Sequence, residues 1–205
     1  MSIEKIGIMG GTFSPIHVGH LILAQGACEE YQLDKIVFLP NRQPPHKRGT
    51  GVLDEKHRAA MVKLAISDNA HFEFSDMELK RTGFSYTADT LQEFCKRYPG
   101  KEYYFLVGAD SLDYIDQWYK PETIFQLAHI LAAPRGNLTL EEMEKKAQVL
   151  RKKYGAKISL LHQPNIEISS NYIRGLIKKG MSIRYYVPKE VEEYITQIAF
   201  SGATQ

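Results

Sequence analysis

The stretch Ile3-Glu4-Lys5-Ile6-Gly7-Ile8-Met9-Gly10-Gly11-Thr12-Phe13-Ser14-Pro15-Ile16-His17-Val18-Gly19-His20 opens on a short apolar run and breaks at two glycines. It then resumes with apolar residues at Val18, Leu21 and Ile22. Spacings of three and four belong to one face of a helix, so residues 3–9 predict a strand, Gly10-Gly11 a turn and residues 18–31 a helix. Outward from this unit the alternation continues. Residues 35–39 predict a buried strand closed by Pro40, followed by a polar, proline-broken loop, Asn41-Arg42-Gln43-Pro44-Pro45-His46-Lys47-Arg48. Residues 54–67 predict a helix with Met61, Leu64 and Ala65 inward, and residues 72–75 a short strand. Residues 87–98 predict a helix with Ala88, Leu91, Cys95 and Tyr98 on one face.

The second half repeats the rhythm. Strands are expected at 103–107, ending in Gly108-Ala109-Asp110, at 130–133, ending in Pro134-Arg135-Gly136, and at 158–161. Thr139 and Glu142 form a capping box for a helix whose stripe is Leu140, Met143, Ala147 and Leu150. Two helices close the chain: one capped by Ser169 or Ser170 and stopped near Gly180, the other starting at Pro188 with Val191, Tyr194, Ile195 and Ile198 on one side. Strands that alternate with helices imply an α/β fold, Rossmann-like and doubly wound, with a mostly parallel sheet and helices on both faces. The expected organisation is one domain over residues 1–205, with a C-terminal helical extension from about 169 to 200 packed on it. In such a sheet ligands sit beyond the carboxyl ends of the strands, where strand order reverses, and this directs attention to the ends of the first and fourth strands.

Composition narrows the classes. The 205 residues are 43% hydrophobic and 24% charged with a formal net charge of +2, the balance of a globular chain without the basic excess of a nucleic-acid coat protein. No segment reaches the ~20 apolar residues of a membrane helix, and the apolar run after Met1 is too brief for a signal peptide. Cys28 and Cys95 lie far apart and outside any CxxC pairing, which suits a reducing compartment. The expectation is a soluble cytoplasmic protein with no nucleic-acid or membrane partner; a homo-oligomer is left open.

The chemistry concentrates in residues 10–20. Glycines let backbone approach a ligand, and a helix start offers N–H groups and a positive dipole end to an anion. The frame is neither G-x-G-x-x-G nor G-x-x-x-x-G-K-[ST]. Zinc ligation by His17 and His20 would need a third ligand, and the sequence supplies neither an H-E-x-x-H frame nor an obvious partner, so no metal ligand set is read. Two histidines three apart in a Gly-Pro loop are also hard to place as core residues.

This stretch resembles the His-x-Gly-His signature of the nucleotidyltransferases that join a nucleotide to a phosphate-bearing acceptor. Ile168-Ser169-Ser170-Asn171-Tyr172-Ile173-Arg174 resembles their second signature. Pro44-Pro45-His46-Lys47, Ser85-Tyr86-Thr87 with Asp89-Thr90, and Gly108-Ala109-Asp110 followed by Trp118-Tyr119 are similar to the bacterial nicotinate mononucleotide adenylyltransferases. The likeness runs over essentially the whole chain. It departs at Ser14, where the family commonly has an acidic or amide residue, although a hydroxyl can still cap the turn.

The resemblance implies transfer of the adenylyl group of ATP to nicotinate mononucleotide, giving nicotinate adenine dinucleotide and pyrophosphate. It further implies His17, His20, Lys47 and Arg174 as catalytic donors. Gly10, Gly11, Thr12, Phe13, Gly108, Ile168, Ser169 and Ser170 would join His17, His20 and Arg174 around ATP. Lys47, Tyr86, Thr87, Asp110, Trp118, Tyr119 and Arg135 would surround the acceptor. Mg2+ would be held mainly by the ATP phosphates rather than by a protein cage. An acceptor phosphate ionised at pH 7 needs no general base, so aligning two anions and stabilising developing charge carry the reaction.

Several residues keep a structural reading beside the functional one. Lys47 and Arg48 also suit a solvated loop face, Asp110 and Ser169 helix caps, and Trp118 the core. The loop over residues 41–52 is expected to close on the phosphates. The alternatives are another adenylyl- or cytidylyltransferase of the superfamily, with phosphopantetheine or an alcohol phosphate as acceptor, and a non-catalytic nucleotide-binding module.

Overall fold

The computed structural model describes residues 3–42, 52–134, 136 and 138–202. Among them six strands form one parallel sheet: β1 (Lys5–Gly11), β2 (Lys35–Pro40), β3 (Phe72–Phe74), β4 (Glu102–Gly108), β5 (His129–Ala133) and β6 (Ile158–Leu160). Their order is β3-β2-β1-β4-β5-β6. The reversal falls between β1 and β4, the two strands whose glycine-containing ends the sequence singles out. Their pairing runs from Lys5 opposite Glu102 to Ile8 opposite Phe105 and stops there. Meanwhile β1 continues along β2 to Gly11 opposite Pro40, and β4 along β5 to Gly108 opposite Ala133. The carboxyl ends of β1 and β4 therefore part and leave a crevice.

Successive strand residues point to opposite faces, so the sheet divides the core into two layers. Ile6, Ile8, Val37, Phe105, Val107 and Ile130 meet the helices α3 (Thr87–Arg97), α4 (Ala109–Tyr114), α5 (Pro121–Leu127) and α6 (Leu140–Tyr154) through Leu91, Leu112, Ile124 and Leu150. Met9, Ile36, Phe38, Leu106 and Leu131 meet α1 (Val18–Tyr31), α2 (Glu55–Ala65), α7 (Ser170–Lys178) and α8 (Lys189–Gly202) through Ala24, Met61, Ile173 and Val191. Each fully buried aliphatic or aromatic side chain in these layers contributes about 1.5–3 kcal/mol relative to exposure. The Thr139–Glu142 capping box opens α6 as its spacing predicts, with Glu142 N–H donating to Thr139 Oγ1 at 3.2 Å and Thr139 N–H to the Glu142 carboxylate at 2.8 Å. Among the described residues no helix is long and apolar enough to cross a membrane.

The structure departs from the sequence reading at several places. Gly10 and Gly11 are strand, not turn, because the ladder to Leu39 and Pro40 continues through them. The inward face of α1 is Ala24, Ala27 and Cys28, while Ile22 is 41% exposed. Tyr98 is the residue after α3 rather than part of its stripe, and Phe94 takes the core position. Leu140 opens α6 in its first turn and is exposed, leaving Met143, Ala147 and Leu150 as the stripe. Residues 109–127, for which the apolar spacing shows no clear element, form α4, a 3₁₀ turn over Ile115–Gln117 and α5, the last started by Pro121.

Candidate active site

Residues 12–16 join β1 to α1 at the mouth of the crevice. Phe13 takes φ +47 in the left-handed region and folds its ring back over Gly11. A Cβ at Gly11 would lie 3.0 Å from that ring, tight enough that the ring would have to give way by a few tenths of an ångström. The Phe13 ring is 2% exposed and stands edge-on to His20 with centroids 5.0 Å apart. The ring thus supports a histidine. Gly10 is exposed, and Gly11 and Thr12 are half-buried beside it at the crevice edge.

His17 is the N-cap of α1 and is buried, with its ring 3.7 Å from that of His20. Gly19 makes room for it, since a Cβ there would stand 3.1 Å from His17 Nδ1. The His17 backbone N–H donates to His20 Nδ1 at 3.3 Å. An Nδ1 that accepts fixes the neutral imidazole in its Nε2–H form, so half-buried His20 offers a donor at Nε2. The expectation of free backbone donors at this helix start needs correction. Val18 N–H donates to Tyr186 O at 3.0 Å and His20 N–H to His17 O at 2.9 Å. With His17 N–H on His20 Nδ1, three of the four first-turn donors are satisfied inside the protein, which makes the His20 side chain the stronger donor of this turn.

The second signature grips the first. Ser169 caps α7, its Oγ accepting from Tyr172 N–H at 3.1 Å, with Ile168 half-buried before it. Ser170 Oγ donates to Pro15 O at 2.8 Å, and Arg174 donates to Ser14 O at 2.7 Å and to Asn171 Oδ1 at 3.3 Å. Ser14 is itself buried, and its Oγ accepts from Leu53 N–H at 3.1 Å. A hydroxyl at this position therefore ties the loop to the segment before α2 instead of capping its own turn. In this arrangement Ser170 and Arg174 spend hydrogen bonds on the backbone of the His-x-Gly-His loop, a use that residue type and spacing do not reveal.

Arg58 completes the grip, and the sequence gives no hint of it because an Arg in a helical pattern reads as a solvated face. It is 2% exposed and donates to Thr12 O at 2.8 Å, Leu53 O at 3.0 Å and Arg42 O at 3.3 Å. Burial pulls its pKa down, opposed by Glu55 and Asp54. Replacing Arg58 by alanine would strand three carbonyls and open a void. We expect a loss on the order of 3 kcal/mol, read as a shift in denaturant midpoint; a loss under ~1 kcal/mol would show that the three bonds do not hold the loop.

Across the crevice, Tyr86 is the N-cap of α3 and Thr87 its first residue. The Tyr86 and Tyr119 rings lie 4.6 Å apart at 36°, so the two motifs read as acceptor-binding meet in space. Trp118 is half-buried, packed on the core edge-on to Phe105 at 6.3 Å, and its buried Nε1 has no partner among the described residues. Gly108 is the N-cap of α4, and Asp110 lies exposed in that helix's first turn rather than capping it. Lys47, Arg135 and the loop interior at 43–51 lie outside the described residues. Among the described residues no group of three or more His, Cys, Asp or Glu side chains is arranged to hold a metal ion. The side chains brought together at the β1 end are His17, His20, Ser14 and Arg174.

The cytidylyltransferase-like family matches the chain over residues 8–176. A protein of Lachnoclostridium phytofermentans named "Probable nicotinate-nucleotide adenylyltransferase" is 48% identical over 197 residues, covering 96% of this chain and 98% of its own. One of the same name from Synechococcus sp. (strain JA-3-3Ab) is 42% identical, covering 95% of this chain and 93% of its own. The chain therefore belongs to the cytidylyltransferase-like family and, inside it, to the nicotinate-nucleotide adenylyltransferases. Its fold is shared with the Plasmodium falciparum nicotinic acid mononucleotide adenylyltransferase complexed with APC, at a TM-score of 0.78 and 21% identity, over 97% of this chain and 98% of that one.

Proposed function

We propose that this chain transfers the adenylyl group of ATP to nicotinate mononucleotide, releasing nicotinate adenine dinucleotide and pyrophosphate, and that it does so as one domain in the cytoplasm. The observation that carries the reading is the His-x-Gly-His loop, fixed by Arg58, Ser170 and Arg174 at the parting of β1 and β4, with the Tyr86–Tyr119 pair across the crevice. An oxygen of the acceptor phosphate attacks the α-phosphorus of ATP. The bond from that phosphorus to the bridging oxygen breaks, and pyrophosphate leaves. No proton need move, so the protein's task is alignment and charge stabilisation.

His20 Nε2–H donates to a phosphate oxygen, while His17 orients it through its backbone N–H and ring. Arg174 holds the loop and adds positive charge beside it. Lys47 meets a phosphate as the family likeness implies, Arg135 after β5 is a weaker phosphate partner, and Asp110, just past the carboxyl end of β4, accepts from ribose hydroxyls. Magnesium bound with ATP would be held mainly by its phosphates and would offset their charge.

The deciding experiment measures pyrophosphate release from ATP with nicotinate mononucleotide, its amide analogue, phosphopantetheine and an alcohol phosphate. Release should be fastest with nicotinate mononucleotide. Faster release with one of the phosphate alcohols would replace the acceptor, and no release with any would favour a nucleotide-binding module.

A further inference from the structure

Between β3 and α3 lies a buried carboxylate to which the reaction assigns no part. Glu78 is 6% exposed. Thr90 Oγ1 donates to it at 2.7 Å, and the Ser85 hydroxyl stands near enough to favour its charged form. The cation that faces it, Arg81, is turned to other acceptors: it donates to Thr90 Oγ1 at 3.0 Å and pairs with Glu93. Ser85 Oγ in turn accepts from Arg42 N–H at 3.3 Å. Thr90 Oγ1 has a single proton, which goes to Glu78, while Arg81 N–H occupies its acceptor side, so the residue at 78 must accept there. Ser85 Oγ, with Arg42 N–H on its acceptor side, keeps its proton for the carboxylate beside it.

The placement of the two hydroxyls gives the carboxylate its meaning. Ser85 immediately precedes Tyr86, and Thr90 lies in the first turn of the helix that Thr87 begins. Glu78 thus brackets the Tyr86–Thr87 turn from both sides. Tyr86, as N-cap, contributes no side-chain cap, so this helix start lacks the usual local device that fixes its geometry. The turn is instead fixed from beneath.

Resting on the reading that nicotinate mononucleotide is the acceptor, we propose that Glu78 is a positioning residue for the acceptor's ring end: through Ser85 and Thr90 it sets the Tyr86–Thr87 turn and thereby acid-over-amide selectivity, without touching substrate. Burial raises its pKa, opposed in part by the two hydroxyls and Arg81. Misplacing a binding group by a fraction of an ångström is felt mainly by the substrate that uses it.

The test is steady-state kinetics of Glu78→Gln with Thr90→Val and Ser85→Ala beside it. The amide of glutamine can accept from one hydroxyl but turns two donors on the other. For Glu78→Gln we expect KM for nicotinate mononucleotide to rise about 10-fold and the acid-to-amide ratio in kcat/KM to fall severalfold, with KM for ATP unchanged within about twofold. Thr90→Val and Ser85→Ala should show the same split at smaller size. An unchanged acceptor KM and ratio in folded Glu78→Gln would overturn the proposal, as would equal rises in both KM values. Loss of folding in all three variants would assign Glu78 to the core and overturn it too. Wild-type turnover is measured first. Should another acceptor be used, the acceptor reading fails alone, and the same KM split with that acceptor still decides the role of Glu78. Absence of any turnover removes both.

Discussion

Replacing His20 by alanine is expected to lower kcat by about 10²-fold or more while leaving a folded protein, the scale of losing one preorganised donor to developing charge. The preorganisation is visible. The ring is held on one side by the His17 ring at 3.7 Å and on the other by the buried Phe13 edge at 5.0 Å. Its Nδ1 is occupied by the His17 N–H, which leaves the proton on Nε2. A donor fixed in place needs no reorganisation when charge builds on the phosphates, so its loss should appear in kcat more than in KM for either substrate. Stability should move little, because His20 is half-buried and forms no part of either core layer. Steady-state kinetics with a thermal melt checks both halves. A folded His20→Ala protein with near-native kcat would remove this residue from the reaction.

A preference of about 10- to 1,000-fold in kcat/KM for nicotinate mononucleotide over its amide analogue is the second expected result. No lysine or arginine lies within residues 85–90 or 108–119, so the carboxylate must be read by other donors. Backbone N–H groups near Thr87, at the start of α3, and near Tyr119, beside the Tyr86 ring, are the donors expected to read it. A carboxylate accepts at both oxygens. The amide accepts at one and turns two hydrogens on N–H groups, and an unsatisfied buried polar group costs about 1–3 kcal/mol.

Trp118 should serve both substrates alike by stacking, an aromatic–cation contact of about 0.5–2 kcal/mol with a pyridinium. Trp118→Ala should therefore weaken both and keep most of the ratio. Since the indole also packs against Phe105 and the core, Trp118→Phe separates loss of stacking from loss of packing. Equal use of acid and amide by the wild type would overturn the acceptor assignment. A ratio that collapses with Trp118 would move discrimination to the ring contact.

Much of this was legible from residue order, and the reasons are local. Alternating apolar runs bounded by glycine or proline give the parallel strands, and the capping box at Thr139 gives α6 its start. What escaped depends on partners far along the chain. Arg58 reads as a surface residue because its acceptors are carbonyls at positions 12, 42 and 53, which carry no side-chain signal. Ile22 and Leu140 fit helical stripes yet lie outside, since the helices turn a different arc toward the sheet. The α1 start looks open to an anion until Tyr186 is seen to occupy Val18 N–H. Ser14 departs from the family pattern, and its hydroxyl meets Leu53 N–H, a distant partner that the argument for a local cap does not anticipate.

The grip of α7 on the His-x-Gly-His loop joins residues 155 and 160 positions apart, through Ser170 to Pro15 and Arg174 to Ser14. The sheet's β1–β2 pair assembles from neighbours in the first 40 residues, whereas the loop between β1 and α1 receives its last supports from the far end of the chain. Contacts of such separation form late, because a long stretch of chain must first be ordered. During synthesis the amino-terminal signature therefore leaves the ribosome long before the residues that lock it. A nascent chain would carry both histidines and most of its sheet, yet lack a fixed place for ATP until its final helices dock.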